Sequence, residues 1–354
     1  MPSHGSPAQS VASRRAAFGW SQAELSQRAG IPRTTISAIE GGNLTPSVTA
    51  ALALAAALDC TVEELFGDGE MPARKRGGPT WAWQPATDSA RYWQAEVGGR
   101  VLLYPVEPPA SHAEPHDGIW RGGIPDHRVS TPPTTLVLAC CDPASGLLAS
   151  AYARASGFRL LVIERGGAAA LELLEKGLVH IAGIHRSTAE DPGRNSDTVL
   201  TRLGSGHRLL RVAEWQEGLA IPASEKSRSL SSITRRCDRW ALREPGSAAR
   251  ECLDELLDSR PAPGRCVPGH TAVAGAISAG WADAGVCVEI AAIDAGLRFL
   301  PVRTESLDLC IPTAHLRDPR VRALVNLLKS KSHRSLISDL PGYDARHTGD
   351  ATDV

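Results

Sequence analysis

Apolar positions along the chain fall into two regimes. Up to about residue 66 they recur at helical spacing in short runs, and beyond residue 134 blocks of consecutive apolar residues alternate with helical ones. In the first regime, Val11 to Phe18 starts a helix. Ser21, followed three residues later by Glu24, is a capping box that opens a second helix with Leu25 as its buried residue, and Gly30 stops it. Pro32 suits the first turn of a third helix, where its missing N–H costs nothing. Ile36 and Ile39 point that helix inward and leave Arg33, Thr34, Thr35, Ser37 and Ala38 on its outer face. Thr45-Pro46 begins a fourth helix, Thr as cap and Pro first, whose buried stripe is Val48, Leu52, Ala55 and Leu58. Thr61 with Glu64 forms a second capping box, launching a short fifth helix whose Val62, Leu65 and Phe66 close the core before Gly67. The pattern predicts an all-α, five-helix domain over residues 1–67.

Residues 68–133 read as a linker with one β-hairpin. Asp68 to Gly78 is rich in Gly, Pro and charge, and includes Arg74-Lys75-Arg76 as a solvated basic run. Tyr92 to Val97 and Arg100 to Tyr104 flank Gly98-Gly99, a dipeptide that favours a tight turn between strands. Trp81, Trp83, Trp93 and Trp120 read as packing rather than as a binding surface. From Thr134 strands and helices alternate. Strands are predicted at 135–139, 158–163, 179–183, 218–221, 284–288 and 307–311, and helices at 145–156, 168–176, 247–257 and 271–278. Val321, Leu324, Leu327 and Leu328 define a closing helix. This is an α/β sheet of crossover units over 134–343, with 344–354 a disordered tail.

In the first domain the order and spacing of Trp20-Ser21-Gln22, Glu24-Leu25, Ile36-Ser37, Ile39-Glu40, Thr45-Pro46-Ser47 and Thr61 to Phe66 resemble the phage-repressor-like (XRE-type) helix-turn-helix family. The resemblance implies a module that reads double-stranded operator DNA, with Arg15 and Glu40 as an internal ion pair. The DNA-facing set is Gln22, Arg33, Thr34, Thr35, Ser37 and Asn43, short or forked side chains suited to a major groove. A single module of this size implies a homodimer or higher homo-oligomer on paired half-sites.

In the second regime, Cys141-Asp142-Pro143, His180 to His185, Glu217 to Ala220, Arg243 to Arg250, His270 to Ala274, Gly280 to Val286 and Glu305 to Leu309 resemble the periplasmic-binding-protein-like domain of bacterial regulators and some molybdenum-cofactor proteins. That family implies two lobes, hinged near Gly218 to Ile221 and Leu307 to Ile311, closing on a small ligand. Four helices would begin at turns facing the cleft, after Asp142-Pro143, Gly166-Gly167, Gly246-Ser247 and Gly269-His270. Converging helix starts offer unpaired N–H groups and partial positive charge to an anion. The expected ligand set is Cys141, Asp142, Gly166, Gly167, His185, Gly246, Ser247, Arg250 and His270, and the family's link to molybdenum makes molybdate or another oxyanion a candidate.

Composition narrows the function classes. The net charge of −1 gives no global attraction to nucleic acid, so the basic residues Arg14, Arg15, Arg28 and Arg33 must act locally. No apolar run is long enough to span a membrane, and the N-terminus lacks signal-peptide features, so the expectation is a cytoplasmic protein with no membrane partner. The eight cysteines include no C-x-x-C and lack zinc-ligand spacing, so no metal or cofactor is expected. No nucleophile elbow, P-loop or His-Glu-x-x-His occurs, which leaves an enzyme without a catalytic residue to name. The leading expectation is a ligand-responsive one-component transcription regulator. The alternatives are a molybdenum-cofactor-related enzyme or biosynthesis protein, and a DNA-binding protein whose C-terminal domain is only a dimerisation scaffold.

Overall fold

The computed structural model describes residues 7–60, 62–66, 79–107, 115–121, 124–127, 132–258 and 260–354. The chain divides into two units, residues 1–76 and 77–354.

The first unit holds α1 (Pro7–Ala17), α2 (Gln22–Ala29), α3 (Arg33–Glu40), α4 (Val48–Ala57) and α5 (Val62–Phe66). Val11, Leu25, Ile36, Ile39, Leu54, Leu58 and Leu65 meet in one core. The capping box at the start of α2 is formed: Glu24 N–H donates to Ser21 Oγ at 3.2 Å and Ser21 N–H donates to Glu24 Oε2 at 2.6 Å. Gly30 ends α2 in the left-handed conformation, φ 64°, which a side chain would resist. Two expectations for α4 are corrected. Its cap is Ser47, which accepts from Ala50 N–H, rather than Thr45. Its buried face is Ala51, Leu54, Ala55 and Leu58, while Val48 and Leu52 are 78% and 58% exposed. An Ala- and Leu-rich helix is apolar on two faces, so periodicity alone does not choose between them. The second capping box, Thr61 with Glu64, and the linker Asp68 to Gly78 with Arg74-Lys75-Arg76 lie outside the described residues.

The second unit opens with β1 (Thr80–Trp81), β2 (Ala90–Val97), β3 (Arg100–Pro105), β4 (Gly118–Arg121) and β5 (Ile124–His127), a sheet ordered β1-β3-β2-β4-β5. The β2–β3 hairpin turns at Gly98-Gly99 as expected, with φ of 57° and 74°. The stretch is not a mere linker, however. Val97, Leu102 and Tyr104 share a core with Val137, Ala139, Leu171 and Ile184. Tyr104 Oη donates to the Leu178 carbonyl at 2.6 Å, and Arg159 grips Asp117 with two hydrogen bonds of 2.7 and 2.6 Å. Trp81 packs edge-on to Tyr92 and Trp120, and Trp83 to Tyr104, which fits the packing reading of the tryptophans.

The larger sheet follows: β6 (Thr135–Cys140), α6 (Ser145–Ser156), β7 (Arg159–Glu164), α7 (Gly167–Glu175), β8 (Ile181–Thr188), α8 (Arg194–Leu203), β9 (His207–Ile221), α9 (Leu230–Arg236), β10 (Trp240–Leu242), α10 (Ala248–Leu256), β11 (Gly264–Cys266), α11 (Gly269–Ser278), β12 (Ala284–Val288), α12 (Glu289–Asp294), β13 (Arg298–Pro312), α13 (Pro319–Leu328), α14 (Lys331–Ser338), β14 (Tyr343–Asp344) and β15 (Ala351–Asp353). Its order is β11-β10-β12-β9-β13-β8-β6-β7. The antiparallel pair β9 and β13, 15 residues each, runs through both halves. β12 joins β9 at Glu217 to Ala220, whereas β8 joins β13 from Glu305 to Cys310. The crossings therefore lie between Trp215 and Glu217 and between Arg303 and Glu305, a few residues ahead of the expected 218–221 and 307–311.

The expected disordered tail, 344–354, is also corrected. β14 and β15 pair with the stretch of β9 that β12 does not cover, and Arg208 holds Asp353 at 2.6 and 3.0 Å. A free strand edge left by β12 is closed in this way. Among the described residues no helix is long and apolar enough to cross a membrane.

Candidate functional site

On the first unit, α3 presents Arg33, Thr34 and Ser37 to solvent, with Thr35 half-buried, and Asn43 is exposed beyond the helix. The Arg15–Glu40 ion pair is present, at 2.7 and 3.1 Å. Gln22, expected to reach DNA, donates its amide to Glu40 Oε2 at 2.8 Å. Its carbonyl oxygen and second N–H are what remain for an outside partner.

On the second unit, a cavity of about 370 Å3 lies between the two halves of the large sheet. Glu164, Arg165, Gly166 and Ala169 supply one wall, at the end of β7 and start of α7. Arg243, Glu244, Cys266, Val267, Pro268 and Gly269 supply the other, at the ends of β10 and β11 and the start of α11. This is the crevice outside the carboxyl ends of strands where open α/β sheets place ligands. Both helix starts are without a side-chain cap. Their first-turn N–H groups thus remain available.

Two glutamates now stand at those helix starts. A Cβ at Gly166 would lie 2.2 Å from Glu244 Oε1, and one at Gly269 would lie 1.7 Å from Glu164 Oε1. Glu244 takes two hydrogen bonds of 2.9 Å from buried Arg243. Burial raises its pKa, but that bonding and the Arg243 charge outweigh it and leave the group below its ordinary value. Glu164 goes the other way, its pKa raised by burial despite Arg243 and Arg165. Arg243 Nη1 is buried without a hydrogen-bond partner. The wall therefore offers donors for an anionic group together with carboxyl acceptors for hydroxyl or amino groups.

Behind the cavity lies a dense buried cluster. Cys141 Sγ is 3.1 Å from His185 Nε2, and His185 Nδ1 is 2.6 Å from Glu305 Oε2. Arg303 donates to Glu305 Oε1 at 2.8 Å, to Glu217 Oε2 at 3.1 Å and to the Ala248 carbonyl at 2.9 Å. Burial and the neighbouring Glu305 charge push the Glu217 pKa well up. Burial would raise Glu305 too, but the hydrogen bond and charge of His185, with Arg303, hold it down at about 2. Asp142 accepts from Ala144 N–H at 2.9 Å, which shapes the turn ahead of α6 without capping it, since α6 starts from Ala144 with no side-chain cap, and from Tyr343 Oη at 2.5 Å.

The expected ligand set is thus divided. Gly166 lines the cavity and Gly167 opens α7, while Cys141, Asp142, His185 and His270 are buried together behind it. Gly246, Ser247 and Arg250 stand outside the lining. Gly246 has open space around it, the Ser247 hydroxyl donates to the Glu244 carbonyl and accepts from Arg250 N–H, and Arg250 Nε is taken by Asp254 at 2.9 Å. Glu164, Arg243, Glu244, Glu217, Arg303 and Glu305 join the site through the fold and lie outside the set expected from sequence. Their signal was charge at positions inside or ending otherwise apolar strands.

Residues 149–329, just over half the chain, match the PBP superfamily domain, and residues 11–65 match a helix-turn-helix domain. The chain belongs to the PBP superfamily and carries an XRE-type helix-turn-helix domain at its N-terminus. This PBP-superfamily chain is similar to the uncharacterized protein YvgK of Bacillus subtilis (strain 168), 29% identical over 184 residues, which are 49% of this chain and 59% of YvgK. The chain thus spans less than two thirds of that relative's length. Its N-terminal part is similar to the uncharacterized HTH-type transcriptional regulator YgzD of the same bacterium, 40% identical over 52 residues, 15% of this chain and 79% of YgzD. Among solved structures, PhnD1 from Prochlorococcus marinus (MIT 9301) in complex with methylphosphonate superposes with a TM-score of 0.42 and 10% identity, covering 63% of this chain and 93% of that one. The chain therefore joins a regulator-type DNA-binding module to a domain of the binding-protein fold.

Proposed function

We propose that this protein is a cytoplasmic one-component transcription regulator that binds operator DNA as a homodimer and responds to a small molecule carrying an anionic group. The observation that carries the ligand reading is the cavity between the halves of the large sheet, where two uncapped helix starts meet Arg243 with one buried, unpartnered Nη1. Glu164 and Glu244 face the cavity from opposite walls and Glu244 is bonded to Arg243, so an anionic group would enter by displacing the Glu244 carboxylate from Arg243. A ligand with hydroxyl or amino groups beside its anion would use both kinds of partner, and a bare oxyanion such as molybdate would use only the donors.

On the first unit, the exposed α3 face with Arg33, Thr34 and Ser37 supports major-groove reading. Leu44, Val48 and Leu52 leave exposed apolar surface that a second copy would cover. The test combines native mass spectrometry of protein from its host, to weigh a retained ligand, with anisotropy titration of operator DNA. Operator affinity should change when that ligand is added. Turnover of the ligand would instead support an enzyme, and operator binding indifferent to it would reduce the second unit to a scaffold.

A further inference from the structure

Cys141, His185 and His270 lie outside the lining of the cleft. Cys141 follows β6, His185 lies in β8 and His270 is in the first turn of α11, so three separate elements bring them together. The Cys141 Sγ and one ring nitrogen from each histidine all lie within 4.8 Å of one another. They are 4%, 3% and 0% exposed. Neither ring nitrogen of His270 has a hydrogen-bond partner. An unmet buried polar atom is costly, about 1–3 kcal/mol, and a folded core keeps one where something else satisfies it.

His185 is already oriented: its Nδ1 rests on Glu305 and its Nε2 faces Cys141. A carboxylate on one imidazole nitrogen is the arrangement that fixes the other for a metal. Arg303 in turn locks that carboxylate. One thiolate with two imidazoles is a borderline-soft donor set that suits zinc, and three protein ligands with a fourth position open is a recurring zinc geometry. With Zn–S of about 2.3 Å and Zn–N of about 2.0–2.1 Å, tetrahedral geometry needs S···N separations of about 3.5 Å. The Cys141–His185 separation of 3.1 Å lies a few tenths of an ångström inside that value, and no pair of the three donor atoms is more than 4.8 Å apart.

We propose that Cys141, His185 and His270 form a three-ligand site for a divalent ion of the zinc class, seated behind the cleft wall at Gly269. A thiol nucleophile relayed through His185 to Glu305 would use two of the same residues. It leaves His270 unexplained, and it needs a substrate to reach a thiol that does not line the cavity.

The test is titration of the tag-free, chelator-stripped full chain with Co2+ and then Zn2+. One equivalent of cobalt should bind with a near-ultraviolet thiolate-to-cobalt band that zinc displaces. Cys141→Ser should abolish the band. His270→Gln should weaken binding by at least about tenfold, the loss seen even for groups that only orient a ligand. Cys237→Ser should leave both unchanged, and circular dichroism checks each fold. X-ray absorption of the zinc-loaded wild type provides a measurement independent of variants, with one sulfur and two imidazoles expected. Absence of metal binding, a coordination shell without sulfur, unchanged affinity in folded His270→Gln, or Cys141 alkylation that zinc does not slow would overturn the proposal.

Discussion

Acid should destabilise the second unit through His180, a residue of the structure rather than of the site. His180 Nδ1 accepts from Val137 N–H at 3.0 Å, which places the ring proton on Nε2, facing the Glu96 carbonyl at 2.9 Å. Protonation of Nδ1 breaks the first bond and adds a charge near Arg320, whose Nη1 lies 3.3 Å from the same Glu96 carbonyl. Burial, followed by the charges of Arg320 and His315, pushes the His180 pKa down to about 3. An unfolded histidine titrates near 6.5. The unfolded state therefore takes up this proton first, so the contribution is fully present above about pH 6.5 and is lost as pH falls toward 3. Between about pH 7 and pH 4.5 the loss is about 2.5 kcal/mol. In His180→Asn, Oδ1 can still accept from Val137, and the lost bond to Glu96 costs about 1 kcal/mol at neutral pH. Urea unfolding followed by tryptophan fluorescence reports on this unit, because seven of the eight tryptophans lie beyond residue 77. The stability gap between wild type and variant should close and reverse as pH falls, while the other histidines cancel in the difference. A gap constant to within about 0.5 kcal/mol from pH 7 to 4.5 would refute a buried neutral His180.

Three further outcomes follow from particular side chains. Arg33→Ala should weaken operator binding by about 1–3 kcal/mol and relax preference at one base position, read by binding-site selection. The pair Val48→Glu and Leu52→Glu should leave the first unit folded, since both residues are exposed, but abolish two-fold footprints on the operator; sedimentation with operator DNA checks the stoichiometry. Gly166→Ala is compatible with its φ of −63°, and the new methyl meets the far end of Glu244. It should therefore swing Glu244 off Arg243 and tighten binding of the anion retained from the host, measured by calorimetry; unchanged affinity would mean that Glu244 does not compete for the site.

The helical unit was legible because its signals are local. Ser21 with Glu24, Gly30, and the Ile36–Ile39 spacing each act within a few residues, and each has the expected geometry. The α4 face was not, because Ala and Leu give two equivalent apolar stripes. In the second unit the short buried strands and their helices were read to within a residue or two at β6, β12 and α6, where apolar blocks have sharp ends. The 15-residue strands β9 and β13 were seen only in part. Their middles carry Arg211, Glu214, Glu217, Arg303, Glu305 and Asp308, which break apolar alternation yet bond one another along and across the strands, with Glu217 Oε1 alone of the Glu217 oxygens left without a partner. Cleft glycines were read from helix starts alone, and Gly166 and Gly246 look alike on that ground. What separates them is which strand end each faces, a long-range fact.

The charged middle of those strands bears on how the two halves work together. Arg303 bonds Glu305 on its own strand, Glu217 on β9, and both Glu255 and the Ala248 carbonyl on α10. Buried ion networks are poor stabilisers compared with apolar packing of equal volume, because their desolvation offsets their attraction. Cohesion alone is therefore a weak reason for charge at this place. Its geometry supplies a stronger one, since the network sits where β9 and β13 pass from one half of the sheet to the other, and Glu305 also orients His185. Forked guanidinium–carboxylate bonding adds geometric specificity as well as energy. A change in the angle between the halves must keep this network whole or break several bonds at once, which favours discrete arrangements over graded ones. A ligand in the cleft that prefers one arrangement would thus select between states rather than bend a continuum.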